Sequence, residues 1–384
     1  MTALSGLDRQ VAHLLAGAPG PDEAAAAAVA ERAREVLRPA GALARLDELA
    51  AWLAAWQGSE RPAVRRPAAV VFAADHGVAA AGVSAYPAEV TAAMAKALRE
   101  GVATACALAR QVGATLEVVD VGIGDPTGDL AREPALDPAR FRACLQAGRD
   151  AVAALDADLL VLGEMGIGNT TAAAAVTAIL LGRSAEASTG RGTGVDDAGL
   201  ARKRAAVEAA RRRVGVVSPM EALRQAGGAE LAALAGAALE ARLRRLPLVL
   251  DGFVVTAAVA PLAELHPGAL ANAVAGHRSA EPGHQALLER LGMSPLLDLG
   301  MRLGEASGAL AAVPLLRLAA AAVTEVATFA EWGLPVPDPG RADPGRADPG
   351  RAGPQPPGRG GPNREGSPTP ELENPAVHRP EERR

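Results

Sequence analysis

The sequence contains few aromatic residues and few cysteines. Its 384 residues include 3 tryptophans, 1 tyrosine and 4 phenylalanines, too few for an aromatic platform that stacks unpaired bases. The 2 cysteines cannot form a disulfide framework or a four-thiolate zinc site. Acidic residues (44) outnumber basic ones (39), and the net charge of −5 argues against a nucleic-acid-binding protein.

Long uncharged apolar runs are also missing. The apolar stretches are rich in alanine and are interrupted by a charge or a glycine within about 20 residues, so we predict no membrane span. The first residues lack the basic-then-apolar order of a signal peptide. We therefore expect a cytoplasmic protein in a reducing compartment.

The residue pattern divides the chain into three regions. Residues 1–62 carry apolar residues at helical spacing, which predicts helices. Residues 63–335 alternate short apolar, often β-branched runs with alanine-rich amphipathic segments, which predicts an α/β domain. Residues 336–384 are rich in Pro, Gly and Arg, repeat the motif RADPG and hold no apolar run long enough to bury, which predicts a disordered tail.

The alternation in the middle region predicts a mainly parallel sheet with helices on both faces. The predicted strands are 68–73, 115–121, 158–163, 246–253 and 269–276, and helices are expected at roughly 88–111, 170–182, 198–213 and 220–245. A polar or glycine-rich segment follows each strand. In a parallel sheet these segments meet at one edge, where open α/β proteins bind ligands.

One such segment, GEMGIGNTT at 163–171, has the composition of a phosphate site. Its glycines allow a close approach to backbone N–H groups, and Asn169 and Thr170 suit a helix start. A strand, a glycine turn and a helix N-terminus together bind anions. The spacing is also that of a P-loop, but Asn169 stands where that motif needs lysine, so a lone phosphate fits better than a triphosphate. The alternative is a structural turn.

Three further residues are candidates for polar roles. Lys203 follows the glycine-rich segment 190–194 and could place a point charge on a phosphate, or could be a solvated lysine. Glu305 lies among apolar residues between two glycines, a setting that raises a carboxyl pKa and suits a general base. Glu164 opens the 163–171 segment and could bind ribose hydroxyls. Either acid could instead be structural.

Metal and hydrolase interpretations are weak. Asp75 and His76, with His277 and His284, suggest metal ligands, but no metal-binding spacing such as H-E-x-x-H is present. The G-x-S-x-G motif of serine hydrolases is absent as well. We expect neither a metal nor a cofactor.

The motifs closely resemble the CobT family of nicotinate-nucleotide:dimethylbenzimidazole phosphoribosyltransferases. The resemblance covers roughly residues 5–333 and rests on six segments in the family's order: VFAADHGVAAAGVSAYPAEVT (71–91), GEMGIGNTTAAAA (163–175), GRGTGVDDAGLARKR (190–204), LVLDGFVVTAA (248–258), HRSAEPGH (277–284) and LLDLGMRLGEASGA (296–309). It implies a Rossmann-like three-layer α/β/α domain. It also implies a small helical domain, made of residues 1–62 and part of 285–335, in a homodimer.

The resemblance also implies an activity on two small molecules. The phosphoribosyl group of nicotinate mononucleotide would pass to 5,6-dimethylbenzimidazole, giving α-ribazole 5′-phosphate with inversion in cobalamin lower-ligand assembly. Glu305 matches the family's catalytic glutamate. The other matching positions are, for the phosphate and nucleotide, Gly166, Ile167, Gly168, Asn169, Thr170, Gly192, Thr193 and Lys203, and, for the base pocket, Ser84, Tyr86, Met94 and Leu303.

Two positions depart from the family's pattern. Ala88 stands where many relatives carry glutamine, and Ala74 replaces the glycine of VFAGDHG. These changes leave the preferred lower-ligand base open, while the reaction type stays the same. The competing functions are a P-loop-like nucleotide phosphatase or kinase and a non-catalytic nucleotide-binding homologue. The missing P-loop lysine argues against the first and the presence of Glu305 against the second.

Overall fold

A parallel five-stranded sheet forms the centre of the molecule. The computed structural model describes residues 4–335, so the predicted disordered tail, 336–384, lies outside the described residues. The strands are β1 (Pro67–Ala74), β2 (Thr115–Gly122), β3 (Leu159–Met165), β4 (Leu248–Leu250) and β5 (Ala273–Ala275), in the order β2-β1-β3-β4-β5. Every described pair of neighbouring strands is parallel, and each of the five predicted runs overlaps a strand.

Helices connect the strands, and further helices precede β1 and follow β5. They are α1 (Gly6–Ala16), α2 (Glu23–Glu35), α3 (Arg45–Gln57), α4 (Val90–Arg99), α5 (Thr104–Gln111), α6 (Pro138–Ala153), α7 (Asn169–Leu181), α8 (Ala185–Ser188), α9 (Asp197–Val214), α10 (Pro219–Ala226), α11 (Ala229–Leu243), α12 (Phe253–Leu265), α13 (Pro282–Leu291) and α14 (Ser307–Thr324). A 3-10 helix spans Gly77–Ala81.

Two predicted helices are each divided in the structure. The segment 88–111 forms α4 and α5, because Gly101 has a φ of +76° that ends the first helix. The segment 220–245 forms α10 and α11, with Gly227 and Gly228 between them. Single predicted helices were therefore wrong at both places, although the helical content was right.

Strand residues alternate between two hydrophobic cores. On β1, Val70 and Phe72 join a core with α6, α7 and α11, whereas Ala69 and Val71 join a core with α3, α5 and α14. Successive strand residues point to opposite faces, so each face of the sheet has its own helical layer. This confirms the three-layer α/β/α fold.

One helix meets the length and composition of a membrane span. α14 has a mean hydropathy of 1.6 over 18 residues, and 56% of it is buried inside the protein. It packs against α3, α5 and β3. These contacts are those of a core helix.

Segments near the two ends of the described chain meet at α14. α2 and α3 pack on α14, and Val36 pairs with Thr328 in an antiparallel bridge. α1 lies apart from them and packs on α10, α11 and α12. Contacts join these elements with the sheet in one compact unit. The separate small domain stays a prediction.

Candidate active site

The loops after β3, β4 and β5 border a cleft at the carboxyl edge of the sheet. Its walls are completed by residues 192–193 and 302–304. The chain direction across the sheet reverses nearby, since β2 and β3 lie on opposite sides of β1. Ligands bind at such switch points in open α/β proteins.

The turn between β3 and α7 is in close contact with β1 and α4. A Cβ on Gly166 would lie 2.8 Å from the carbonyl oxygen of Ala74, so only glycine fits there. Gly168 adopts a φ of +99° and starts α7 at Asn169. The N–H of Ile167 donates to Thr91 Oγ1 at 3.1 Å. The turn therefore directs the N-terminus of α7, which favours anions, towards the cleft.

Lys203 reaches this helix start from α9. Its side chain is only 1% exposed, and Nζ donates to Thr170 Oγ1 at 2.8 Å. Burial lowers the lysine pKa, and the nearby Glu281 carboxylate opposes that shift. Gly192, with a φ of +56°, leaves no room for a side chain beside Nζ. Lys203 is therefore not a solvated surface lysine.

Glu281 is a site residue that the sequence analysis missed. Its carboxylate accepts the N–H of Gly192 at 2.7 Å and that of Gly190 at 3.2 Å, which fixes the second glycine segment beside Lys203. Ser279 lines the same wall of the cleft. Both residues follow β5 in the motif HRSAEPGH, so the rule that ligand loops follow strands could have found them.

Glu164 lies at the end of β3 and is buried. Asn169 Nδ2 donates to its Oε2 atom, and this bond alone favours the charged carboxylate. Burial is the larger effect and raises the Glu164 pKa well above its ordinary value, with further increases from the carboxylates of Glu230 and Asp251. Glu164 therefore keeps a proton to unusually high pH.

Glu305 lies on the turn that leads into α14. Glu305 and Ala306 have φ values of +60° and +66°, an uncommon conformation for residues with side chains. The Glu305 N–H donates to the Glu164 carbonyl oxygen at 3.2 Å, so the two acids are neighbours. The Glu305 side chain is buried, and within residues 4–335 its Oε2 has no hydrogen-bond partner. Burial, reinforced by Asp251, raises the Glu305 pKa.

The two histidines of HRSAEPGH have different surroundings. His277 lines the cleft, with Nε2 3.7 Å from Asp251 Oδ1. His284 is deeper: its Nδ1 accepts the Ser279 N–H at 3.0 Å, and its Nε2 lies 3.1 Å from Thr256 Oγ1. Burial lowers the pKa of His284 to about 3, so the ring is neutral and serves to hold the loop.

Of the four positions assigned to the base pocket, Leu303 alone is among the residues that line this cleft. Leu303 lines the cleft, and Met94 is half-buried against the core that contains Met165 and Ile167. Ser84 and Tyr86 do not line it: Tyr86 is 53% exposed, and its N–H donates to Ser84 Oγ at 3.2 Å. Thr193 and the 166–170 turn, by contrast, line the cleft directly, apart from Gly168.

Comparison with known proteins gives the same family as the motifs. A family model described as phosphoribosyltransferase matches residues 18–334. The chain belongs to this phosphoribosyltransferase family. It is 52% identical over 318 residues to the nicotinate-nucleotide–dimethylbenzimidazole phosphoribosyltransferase of Mesorhizobium japonicum, covering 82% of this chain and 94% of the relative.

Other members of the phosphoribosyltransferase family agree in sequence and in fold. The enzyme of the same name from Cereibacter sphaeroides is 49% identical, with 82% of this chain and 94% of the relative covered. The crystal structure of CobT from Thermus thermophilus superimposes with a TM-score of 0.78 at 45% identity, covering 81% of this chain and 99% of that one. The resemblance to this family is thus confirmed.

Proposed function

We propose that the chain transfers the phosphoribosyl group of nicotinate mononucleotide to 5,6-dimethylbenzimidazole. The products are α-ribazole 5′-phosphate and nicotinate, and the pathway is cobalamin lower-ligand assembly. The observation that carries the proposal is the buried Glu305 carboxylate. Its Oε2 has no partner among residues 4–335, and it directly follows Gly304, which lines a cleft with an anion-binding turn. The names of the relatives give the two substrates.

The phosphate binds at the side of the cleft where charge and backbone favour an anion. Lys203 supplies a buried positive charge, Thr170 a hydroxyl, and α7 the positive end of its dipole. Glu164, with its raised pKa, is placed next to Glu305 and can donate to a ribose hydroxyl in its protonated form. These contacts support a phosphoribosyl group whose C1′ faces Glu305.

The chemistry needs one base and no general acid. A benzimidazole nitrogen forms a bond to C1′, the C1′–nitrogen bond of the nucleotide breaks, and its electron pair neutralises the pyridinium as nicotinate leaves. The other benzimidazole nitrogen then carries a proton to be removed, and Glu305 accepts it. Holding both substrates in line can supply about 7–11 kcal/mol of the rate enhancement.

Neither competing function has a specific observation in its favour. The position of the P-loop lysine is occupied by Asn169, whose amide bonds to Glu164. The family match is to phosphoribosyltransferases, which argues against a phosphatase or kinase. A non-catalytic homologue would not need an unpartnered buried carboxylate, which costs stability.

The test is nicotinate release from the full chain incubated with nicotinate mononucleotide and dimethylbenzimidazole. We expect release that depends on both substrates, and a loss of about 100-fold or more in kcat for Glu305→Gln with nucleotide binding kept. Release that persists in Glu305→Gln would remove Glu305 from its role. Release without the base, or none at all, would contradict the transferase.

We also propose a cytoplasmic homodimer, as the resemblance implies. The support is the family membership together with the two thiols, which are free and buried. Light scattering after size exclusion would show twice the 38.7 kDa chain mass if the dimer forms.

Competition among several benzimidazoles and adenine would define the base that is preferred.

A further inference from the structure

We propose that Asp251 is a positioning residue for Glu305. Its carboxylate holds the first turn of α14 and thereby fixes the turn on which the base lies, while its charge keeps that base strong. The inference rests on the proposed function, because it assigns Asp251 a part in proton removal by Glu305. It concerns a residue at the end of β4, on a different element from the base.

The Asp251 carboxylate contacts the backbone at the start of α14. Asp251 is 1% exposed, and its Oδ1 accepts the N–H of Ala309 at 2.9 Å. The other oxygen, Oδ2, is buried and has no hydrogen-bond partner within residues 4–335. An N–H group from the first turn of α14 thus reaches a buried acid. Burial raises the pKa of Asp251, while the nearby His277 and this bond favour its charged form.

The turn directly before α14 is strained. Glu305 and Ala306 both have positive φ values, which are unfavourable for residues with a side chain. Such a conformation persists only where its surroundings impose it. Asp251 bonds to the N–H of Ala309, three residues after Ala306, so it is placed to hold the helix start that follows this conformation.

Glycines allow this turn to be clamped from two sides. A Cβ on Gly163 of β3 would lie 2.3 Å from the Ala306 nitrogen, and one on Gly308 would lie 2.0 Å from His277 Cδ2. The start of α14 therefore lies in direct contact with β3 and with His277. Because these close contacts leave no free space around the helix start, we expect a change in the Asp251 contact to shift the position of Glu305.

The charged groups around Glu305 come from three elements. Glu164 on β3 and Asp251 after β4 are acids, and His277 after β5 lies 3.7 Å from Asp251 and opposes its negative charge. On its own segment, Arg302 bonds to the Gly192 carbonyl at 3.3 Å instead of to Glu305. Of these groups, the Asp251 carboxylate is the one whose charge raises the Glu305 pKa, so removing that charge should weaken the base.

The experiment uses Asp251→Asn and His277→Gln in the full chain, with the pH dependence of kcat as the readout. Asp251→Asn keeps the shape and one acceptor oxygen but loses the charge. We expect the acid limb of its profile to move down by about 0.5–1 pH unit, with the KM for nicotinate mononucleotide within about twofold of wild type. His277→Gln leaves the Asp251 charge uncompensated, so its acid limb should move up.

Two more variants separate positioning from charge and from general damage. Asp251→Ala releases the turn and should lower kcat by about 100-fold, because small misplacements of a catalytic group have effects of this size. Asp156→Asn removes an acid that is 88% exposed, at the other edge of the sheet, and should change nothing.

The outcomes distinguish this inference from the function on which it rests. Profiles of Asp251→Asn and His277→Gln that coincide with wild type would overturn the positioning role while leaving the transferase intact. Equal losses of kcat and of nucleotide affinity in Asp251→Ala would indicate a merely structural acid. Full turnover in Glu305→Gln would instead remove the base itself.

Discussion

Buried ionisable side chains with incomplete hydrogen bonding define the site at the level of single residues. Lys203, Glu164 and Glu305 are all buried, and within the described residues each has at most one polar partner for its side chain. Burying such groups lowers the free energy of unfolding, so they are retained for function rather than for stability. Substitutions here should separate the two properties.

Lys203→Met tests the phosphate contact. It keeps the apolar stem and removes the only buried lysine charge, so nicotinate mononucleotide should bind about 10-fold to 100-fold more weakly, as expected for a lost charged hydrogen bond. Titration calorimetry measures this directly. Lys96→Met is the matched control, because Lys96 is the other lysine and its side chain is 75% exposed. Equal affinities in the two variants would place the phosphate elsewhere.

Glu164→Gln should raise thermal stability in a pH-dependent way. The folded-state pKa of Glu164 is raised above 4.5, so the wild type loses stability as pH rises from there to the folded pKa, by about 1.4 kcal/mol per pH unit. Glutamine does not titrate, and its advantage in Tm should therefore be larger at pH 8 than at pH 5.

The control for that measurement is an acid with the opposite shift. Arg211 and Arg212 lower the pKa of Glu208 to about 2, so Glu208→Gln should give no gain in Tm as pH rises. A Glu164→Gln advantage that is constant from pH 5 to pH 8 would show that Glu164 titrates normally in the folded chain.

At the level of elements, close helix contact depends on two glycines. α6 and α11 cross where a Cβ on Gly148 would lie 1.8 Å from the Ala233 oxygen, and one on Gly236 would lie 1.9 Å from the Leu145 oxygen. The neighbouring atoms are backbone and cannot move aside as a side chain could. The layer that covers β1 and β3 is therefore set by these glycines.

Gly148→Ala should destabilise the protein although alanine favours helices. The gain in helix propensity is about 1 kcal/mol, while forcing two helices apart costs about 3 kcal/mol, so we expect a net loss of about 2 kcal/mol in urea unfolding. Gly6→Ala is the control, since nothing lies within 4 Å of its Cβ position. A Gly148→Ala variant as stable as Gly6→Ala would contradict the close crossing.

The sequence predicted elements whose signal is local and missed those without one. The apolar runs of β1 and β3 marked strands, and the helical spacing of residues 1–62 marked helices. α12 and α14 were not predicted from their spacing, although α7 and α11, which are as uniform in apolar residues, were. Glu281 and Asp251 follow β5 and β4, so the strand rule could have placed them at the cleft, but the contacts that define their roles are with segments 89 and 58 residues away. Local pattern cannot show such contacts.

For the whole molecule, the cleft is assembled from widely separated parts of the chain. Its lining begins at Glu164 and ends at Gly304, and the core helix α14 that follows ends at Thr324. The family model matches to residue 334. The described fold thus contains all the proposed substrate contacts without residues 336–384.

A chain ending at Pro335 should therefore keep both stability and turnover. We expect its Tm to lie within about 2 °C of the full chain and its kcat within about twofold, because the lining residues known within 4–335 are all kept and changes away from packed features are within about 0.5 kcal/mol. Differential scanning calorimetry and nicotinate release measure the two quantities. As a contrast, a chain ending before α14 loses a helix that covers one face of the sheet and should not fold. A tenfold loss of kcat at unchanged Tm in the chain ending at Pro335 would show that residues 336–384 contribute to the site.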